Sequence, residues 1–142
     1  MKLAAFSPSP SPAQPVVKKA AFGDCRASVI ALLGMIPTLR VAHWQASTKT
    51  NEHKALGDLY EALDGLIDDF AETLMGLDGN DRSFESHGCT IEAKNEFAGI
   101  VKRIRDEVNK VVEATSSEAD LNNIAADMRQ AVNKACYLLE IA

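Results

Sequence analysis

From residue 25 onward, apolar side chains recur every three or four residues, the interval that gathers them on one face of an α-helix. Cys25, Val29, Leu32, Ile36, Leu39 and His43 form the first such stripe. It predicts a helix from about Asp24, a favourable N-cap, to about Ser47. Pro37 falls inside the pattern; because the periodicity continues past it, a kink is expected there rather than an end. The turn ASTKTN follows, and Thr50 or Asn51 can cap a second helix whose stripe is Leu56, Leu59, Leu63, Ile67, Phe70, Leu74 and Leu77. So short a link makes these two helices antiparallel neighbours. A third stripe, Phe97, Ile100, Val101, Ile104, Val108 and Val111, predicts a helix from about Ile91 to Ala114 with a charged outer face. Ser117, with Asp120 three residues on, resembles a capping box. It opens a fourth helix with Leu121, Ile124, Met128, Val132, Ala135 and Leu138 inward. The period-two alternation of a half-buried strand is absent, as is any internal repeat. The expected fold is all-α, a four-helix bundle domain over residues 22–142.

Two segments fall outside this pattern. Residues 7–15 read SPSPSPAQP, and the alternating prolines bias the chain to polyproline II. Residues 1–21 are therefore expected to form a Pro/Ser-rich N-terminal arm, either an extension or a strap docked on a neighbouring subunit or another assembly protein. The second segment, Leu77–Thr90, connects the second and third helices. A helix from 51 to 77 is about 39 Å long, and thirteen extended residues reach at most about 45 Å. The connection can thus be a slack hairpin or a crossover along the bundle.

Composition narrows the function classes. With 46% hydrophobic residues among 142, the chain can bury a sizeable core. Uninterrupted apolar runs fall short of a membrane span and no secretory signal is evident, so a cytoplasmic protein without membrane contact is expected. The net charge of −5 argues against a general nucleic-acid binder. Three lysines in the arm region would bind nucleic acid weakly, at low salt. Cys25, Cys89 and Cys136 are odd in number and scattered, which suits reduced thiols. Cys25 and Cys136 lie on apolar stripes, as buried small hydrophobes do.

The candidate chemistry lies between His43 and Glu72. His43, His53, Asp68 and Glu72 are the donor types that hold iron, zinc or manganese. Asp68 and Glu72 lie one turn apart and project roughly 140–180° from the apolar stripe of their helix. They face away from their own core, so a partner's histidines would have to complete a site with them. Gly57, Gly65 and Gly76 are expected on the same outer side. A helix-interior glycine costs up to about 1 kcal/mol relative to alanine, so three of them suggest a closely approaching backbone and an intersubunit surface. Trp44 reads as a packing anchor.

Residues 43–72 carry His43-Trp44, His53, Asp68, Ala71 and Glu72 in an order and spacing that resemble the Dps (DNA protection during starvation) family of the ferritin-like superfamily. The family shows His-Trp on its first helix, a second His opening the next, and then Asp-x-x-x-Glu. The same stretch resembles small ferritin-like proteins encoded by phages. The resemblance implies a ferritin-like bundle and a homo-oligomer, a hollow dodecamer in Dps proteins. It also implies ferroxidase activity at sites shared between two-fold-related subunits, with Fe(II) as the metal. His43 and His53 would come from one subunit, Asp68 and Glu72 from the other. Two departures stand out: Gly57 replaces the family's Asp four residues after the second His, and Thr73 replaces the Arg after Glu. They point to weaker iron binding, to one ion instead of two, or to no iron at all. The alternative is a structural or assembly protein, such as a phage particle component located in the virion, that keeps the bundle and holds no metal.

Overall fold

The stripes become helices because each buries its apolar edge against two neighbours. A computed structural model describes residues 19–142, and within them lie α1 (Lys19–Gln45), α2 (Asn51–Leu77), α3 (Phe97–Ala114) and α4 (Ala119–Leu138), with no strand among the described residues. Residues 1–18, most of the expected Pro/Ser-rich arm, lie outside the described residues. Cys25, Val29, Leu32, Ile36 and Leu39 of α1 meet Leu56, Leu59, Leu63, Ile67, Phe70 and Leu74 of α2 in one core. Ile100, Val101, Ile104, Val108 and Val111 of α3 and Leu121, Met128 and Val132 of α4 complete it. Each fully buried side chain of this size contributes roughly 1.5–3 kcal/mol of transfer free energy.

α1 packs against α2 and α3, and α4 packs against the same two, so α2 and α3 sit diagonally across the bundle. The connection between them, residues 78–96, is a crossover. Near the start of α1, Arg26 donates to Asp78 Oδ2, to the Asp81 carbonyl and to the Ser83 carbonyl, each at 2.9 Å. Midway along α1, the Thr38 hydroxyl donates to the Thr90 carbonyl at 3.4 Å and accepts from the Glu92 N–H at 3.1 Å. At the end of α1, Gln45 Nε2 donates to the Ala93 carbonyl at 3.0 Å, and Gln45 Oε1 accepts from the Asn95 N–H at 3.1 Å. The segment therefore runs the length of α1 and delivers α3 antiparallel to α1 and parallel to α2. A loop with this much backbone needs partners for its polar groups, and one face of α1 supplies them. Gly34 lies on that face: a Cβ there would sit 3.1 Å from Cβ of Cys89, so glycine lets the crossover pass close.

Three boundaries differ from the sequence expectation. α1 is already helical at Lys19, so Asp24 lies inside it; the good helix formers ahead of Asp24 outweigh its preference for a cap. α3 starts at Phe97, not Ile91, because Thr38 and Gln45 bind the backbone of residues 90–95 that a helix would have used. α4 is capped by Glu118, whose carboxylate accepts from the Asp120 N–H, so Ser117 is not the cap. The α3–α4 turn is fastened by the buried Thr115, whose hydroxyl donates to the Val111 carbonyl at 2.8 Å and accepts from Asn122 at 3.3 Å.

α1 is more apolar than a one-faced helix requires. Phe22–Gln45 is long and apolar enough, by length and composition, to cross a membrane: an 18-residue window within it has mean hydropathy 1.5. Inspection for uninterrupted apolar runs misses this because Asp24, Arg26 and Arg40 punctuate the helix. Only 39% of that window is buried. Arg26, Ile30, Leu33, Pro37, Arg40 and Trp44 form a second stripe about 100° around α1 from the core stripe. On it Leu33 is 47% and Trp44 67% exposed. Trp44 thus does not anchor the packing of its own chain.

Candidate functional site

The turn between α1 and α2 brings His43, in the last turn of one helix, against His53, in the first turn of the next. Their rings stack with centroids 3.9 Å apart and an interplanar angle of 29°. His43 Nδ1 lies 2.6 Å from the carbonyl oxygen of His53, and His53 Nδ1 lies 2.9 Å from the carbonyl oxygen of His43. A carbonyl can only accept, so each Nδ1 carries the proton. Each neutral ring therefore keeps its lone pair at Nε2. The His43 carbonyl belongs to the last turn of α1, where carbonyls lack helical partners, so His53 also caps α1.

Gly57 makes this arrangement fit. It is buried, not outward as the stripe suggests, because the His43 ring lies over it. A Cβ at Gly57 would come within 2.8 Å of His43 Cε1 and 3.0 Å of Nδ1. Gly65 and Gly76 do face outward, with nothing within 4 Å of a built Cβ. Tyr60 meets His43 edge-on at 5.6 Å between centroids, and the Arg40 guanidinium lies 5.0 Å from the Tyr60 ring centroid.

Asp68 and Glu72 are exposed, and neither bonds to a described residue. Fifteen residues of α2 separate His53 from Asp68, a rise of about 22 Å, so one chain does not join its histidines to its carboxylates. Among the described residues no three His, Cys, Asp or Glu side chains converge in a way that could hold a metal ion. The four candidate residues are thus two pairs: two imidazoles with free Nε2 atoms at one end of the α1–α2 hairpin, and two unpaired carboxylates further along. His53, Tyr60, Asp64, Asp68 and Ala71 nevertheless fall within about 80° of one another around α2, with Glu72 about 40° beyond Asp68, so His53 and Asp68 border one outward face.

Near the carboxylates this face is a groove of about 430 Å³, with Ile30 and Leu33 of α1, Gly65, Asp68 and Ala71 of α2, and Phe84 of the crossover among its walls. Sequence reasoning missed the groove, because Phe84 reaches it through the crossover's docking on Arg26, whose guanidinium lies 5.2 Å from the Phe84 ring centroid. α2 carries seven carboxylates, Asp68 and Glu72 among them, to one lysine, while the whole chain has a net charge of −5. Among the four helices the acidic excess is therefore concentrated on α2.

Residues 43–139 match the sequence profile described as "Family of unknown function (DUF5856)". The match covers more than half of the chain. This chain belongs to the DUF5856 family. The DUF5856 match opens at His43, so it includes the histidine pair, Asp68, Glu72, the crossover and α3, and it ends at Leu139 just beyond α4. No curated protein matches the chain, and no solved structure matches it.

Away from the histidine pair, Cys25 and Glu92 have displaced acidities. Burial, with the Asp24 carboxylate beside it, pushes the Cys25 thiol up to about 11. Hydrogen bonding to the Arg103 guanidinium holds the Glu92 carboxyl below its ordinary value. Neither borders the histidines: Cys25 is a core group and Glu92 a crossover anchor.

Proposed function

We propose that this protein is a Dps-like, ferritin-like oligomer that binds Fe(II), and acts as a ferroxidase, at sites shared between two-fold-related copies. The observation that carries the reading is the reciprocal Nδ1–H bonding of His43 and His53. Metal-binding histidines characteristically donate one ring nitrogen to a carbonyl or carboxylate, which fixes the tautomer and frees the other. Asp68 and Glu72, rigid on α2 and unpaired, supply the carboxylate half from a second copy. The single long crossover is the connectivity associated with ferritin-like bundles. Because the His43 ring occupies the space over Gly57, no carboxylate is available there. The expected stoichiometry is one ion per chain.

Bound Fe(II) would be the substrate, each ion giving one electron to an external oxidant, hydrogen peroxide or dioxygen. Two imidazoles and two carboxylates give a neutral first shell for Fe(II), and the free acidic groups of α2 lie ready for the ferric product. The compartment that suits free thiols and this chemistry is the cytoplasm. Native mass spectrometry with bound-metal analysis, followed by an Fe(II) oxidation assay, tests the reading. An oligomer with one iron per chain, whose oxidation rate falls on His53→Ala or Asp68→Asn, supports it. A protein that takes up no iron, with His53→Ala behaving as the parent, ends it.

One observation favours the alternative, a structural or assembly protein such as a virion component. His53 caps α1 and His43 stacks on it, so the pair closes the hairpin without metal. In that case His53→Ala lowers stability while metal has no effect on either protein.

A further inference from the structure

We infer that Trp44 of one copy seats in the groove beside Asp68 of a second copy, forming a two-fold interface that assembles without metal. The inference deepens the shared-site reading. The outward face of the α1–α2 hairpin has two unlike halves. One half protrudes: Trp44 is 67% exposed, and Arg40 lies over Tyr60. The other is the groove of about 430 Å³ lined by Ile30 and Leu33 of α1, Ala71 of α2 and Phe84 of the crossover, among others. A large exposed indole and an open apolar groove each leave apolar surface in water that a partner's surface would cover.

Symmetry connects them. A two-fold axis lying in the plane of this face, across the helices at the level of Pro37 of α1, exchanges the level of Trp44 with the level of Ile30–Leu33. On α2 the same axis exchanges the level of His53 with that of Asp68. One operation therefore brings the indole to the groove and the histidines to the carboxylates, and a self-complementary patch of this kind closes as a dimer. Charge agrees. The protruding half carries the Arg40 guanidinium, and the groove is bordered by Asp64 and Asp68. Opposite signs therefore meet twice, once on each side of the axis. A second copy is the occupant that supplies indole and cation together at the required spacing.

Trp44 is the only tryptophan in the chain, so its emission reports the contact directly. The experiment measures mass by light scattering together with tryptophan emission and acrylamide quenching over a dilution series, in the presence of a chelator. The expected result is a blue-shifted, quencher-protected emission that reverts to a water-exposed one as the protein dissociates. Trp44→Ala and Leu33→Asp both alter exposed side chains, so the bundle should stay folded by circular dichroism. Each should raise the dissociation constant at least about thirtyfold, the effect of losing an interface hot spot. Tyr137→Ala, at an 82% exposed position on α4, should leave it unchanged. An oligomer whose Trp44 stays water-exposed, or which survives both substitutions, overturns the inference and leaves the metal-site reading standing. A chain that is monomeric at every concentration overturns both. A protected Trp44 in an oligomer that takes up no iron upholds the interface and ends the iron reading.

Discussion

The two hairpins of this bundle are built to different specifications. In α3–α4, the apolar stripes are inward except for Tyr137 and Leu138 at the very end of α4, charged positions are outward, and the turn is closed by Thr115 and Asn122. That hairpin needs only the core. In α1–α2 the core stripe is equally complete, yet a second stripe with Leu33 and Trp44 lies open. The stacked histidines close that turn, and the carboxylates of α2 face outward beside the open stripe. A helix apolar on more than one face requires more than one cover. α1 has three faces: one on the core, one under the crossover and one still bare. The difference separates residues that hold the bundle together from those placed for a partner.

The comparison breaks first in the core, where the hairpins should respond alike. Phe70 of α2 and Met128 of α4 are both fully buried. Phe70→Ala should cost about 3–5 kcal/mol and Met128→Ala about 2–5 kcal/mol in urea unfolding. A negligible cost on either side would mean that hairpin is not part of the common core. Cys25 sharpens the point through pH. Its thiol value rises on folding to about 11, so the folded state favours the protonated form. That contribution is fully present below the ordinary thiol value and is lost as pH rises through about 11. Cys25→Ala should flatten the alkaline limb of the stability curve. An unaltered limb would place the titration elsewhere.

The glycines give smaller effects of opposite sign. Gly57→Ala puts a methyl against the His43 ring and should destabilise the chain by about 1–3 kcal/mol, with shifted imidazole resonances in the NMR spectrum. Gly65→Ala meets no atom within 4 Å and should stabilise the dilute chain by about 0.5–1 kcal/mol. Because Gly65 lines the groove, the same change should weaken self-association. The smallest effect belongs to Arg103→Ala, which removes an exposed pair with Glu92. It should cost less than about 1 kcal/mol, and a larger loss in thermal melts would make the crossover more central than its contacts imply.

The four apolar stripes were legible because each obeys one local period, and most residues assigned inward are buried, whereas Leu77 and Leu138, the last positions of their stripes, are exposed at helix ends. Cys25 and Cys136 were legible for the same reason. What escaped depends on contacts between distant segments. Nothing near Arg26, Thr38 or Gln45 announces that their side chains bind the backbone of residues 81–95. The crossover and the late start of α3 were therefore undetermined. Gly57 was assigned outward on the phase of α2 alone, whereas its environment is set by a ring from α1. His43 and His53 were recognisable as a pair by residue type, but their reciprocal bonds are a property of the turn. Trp44 was misread as an anchor because an indole suggests burial, while its phase on α1 puts it on the uncovered stripe.

The crossover also has a kinetic meaning. Its hydrogen bonds to α1 join residues separated by 48 to 57 positions, and Arg26, Thr38 and Gln45, which make them, sit on a helix that must already exist. Contacts so remote in sequence are slow to close, and a segment held by a few polar bonds opens at a free energy well below that of the core. Among the described residues, 78–96 should accordingly be the last to order and the first to exchange amide protons or admit a protease. Since Phe84 is carried on that segment, the groove beside Asp68 exists only while the crossover is shut. Any surface that uses it inherits the opening rate of the strap.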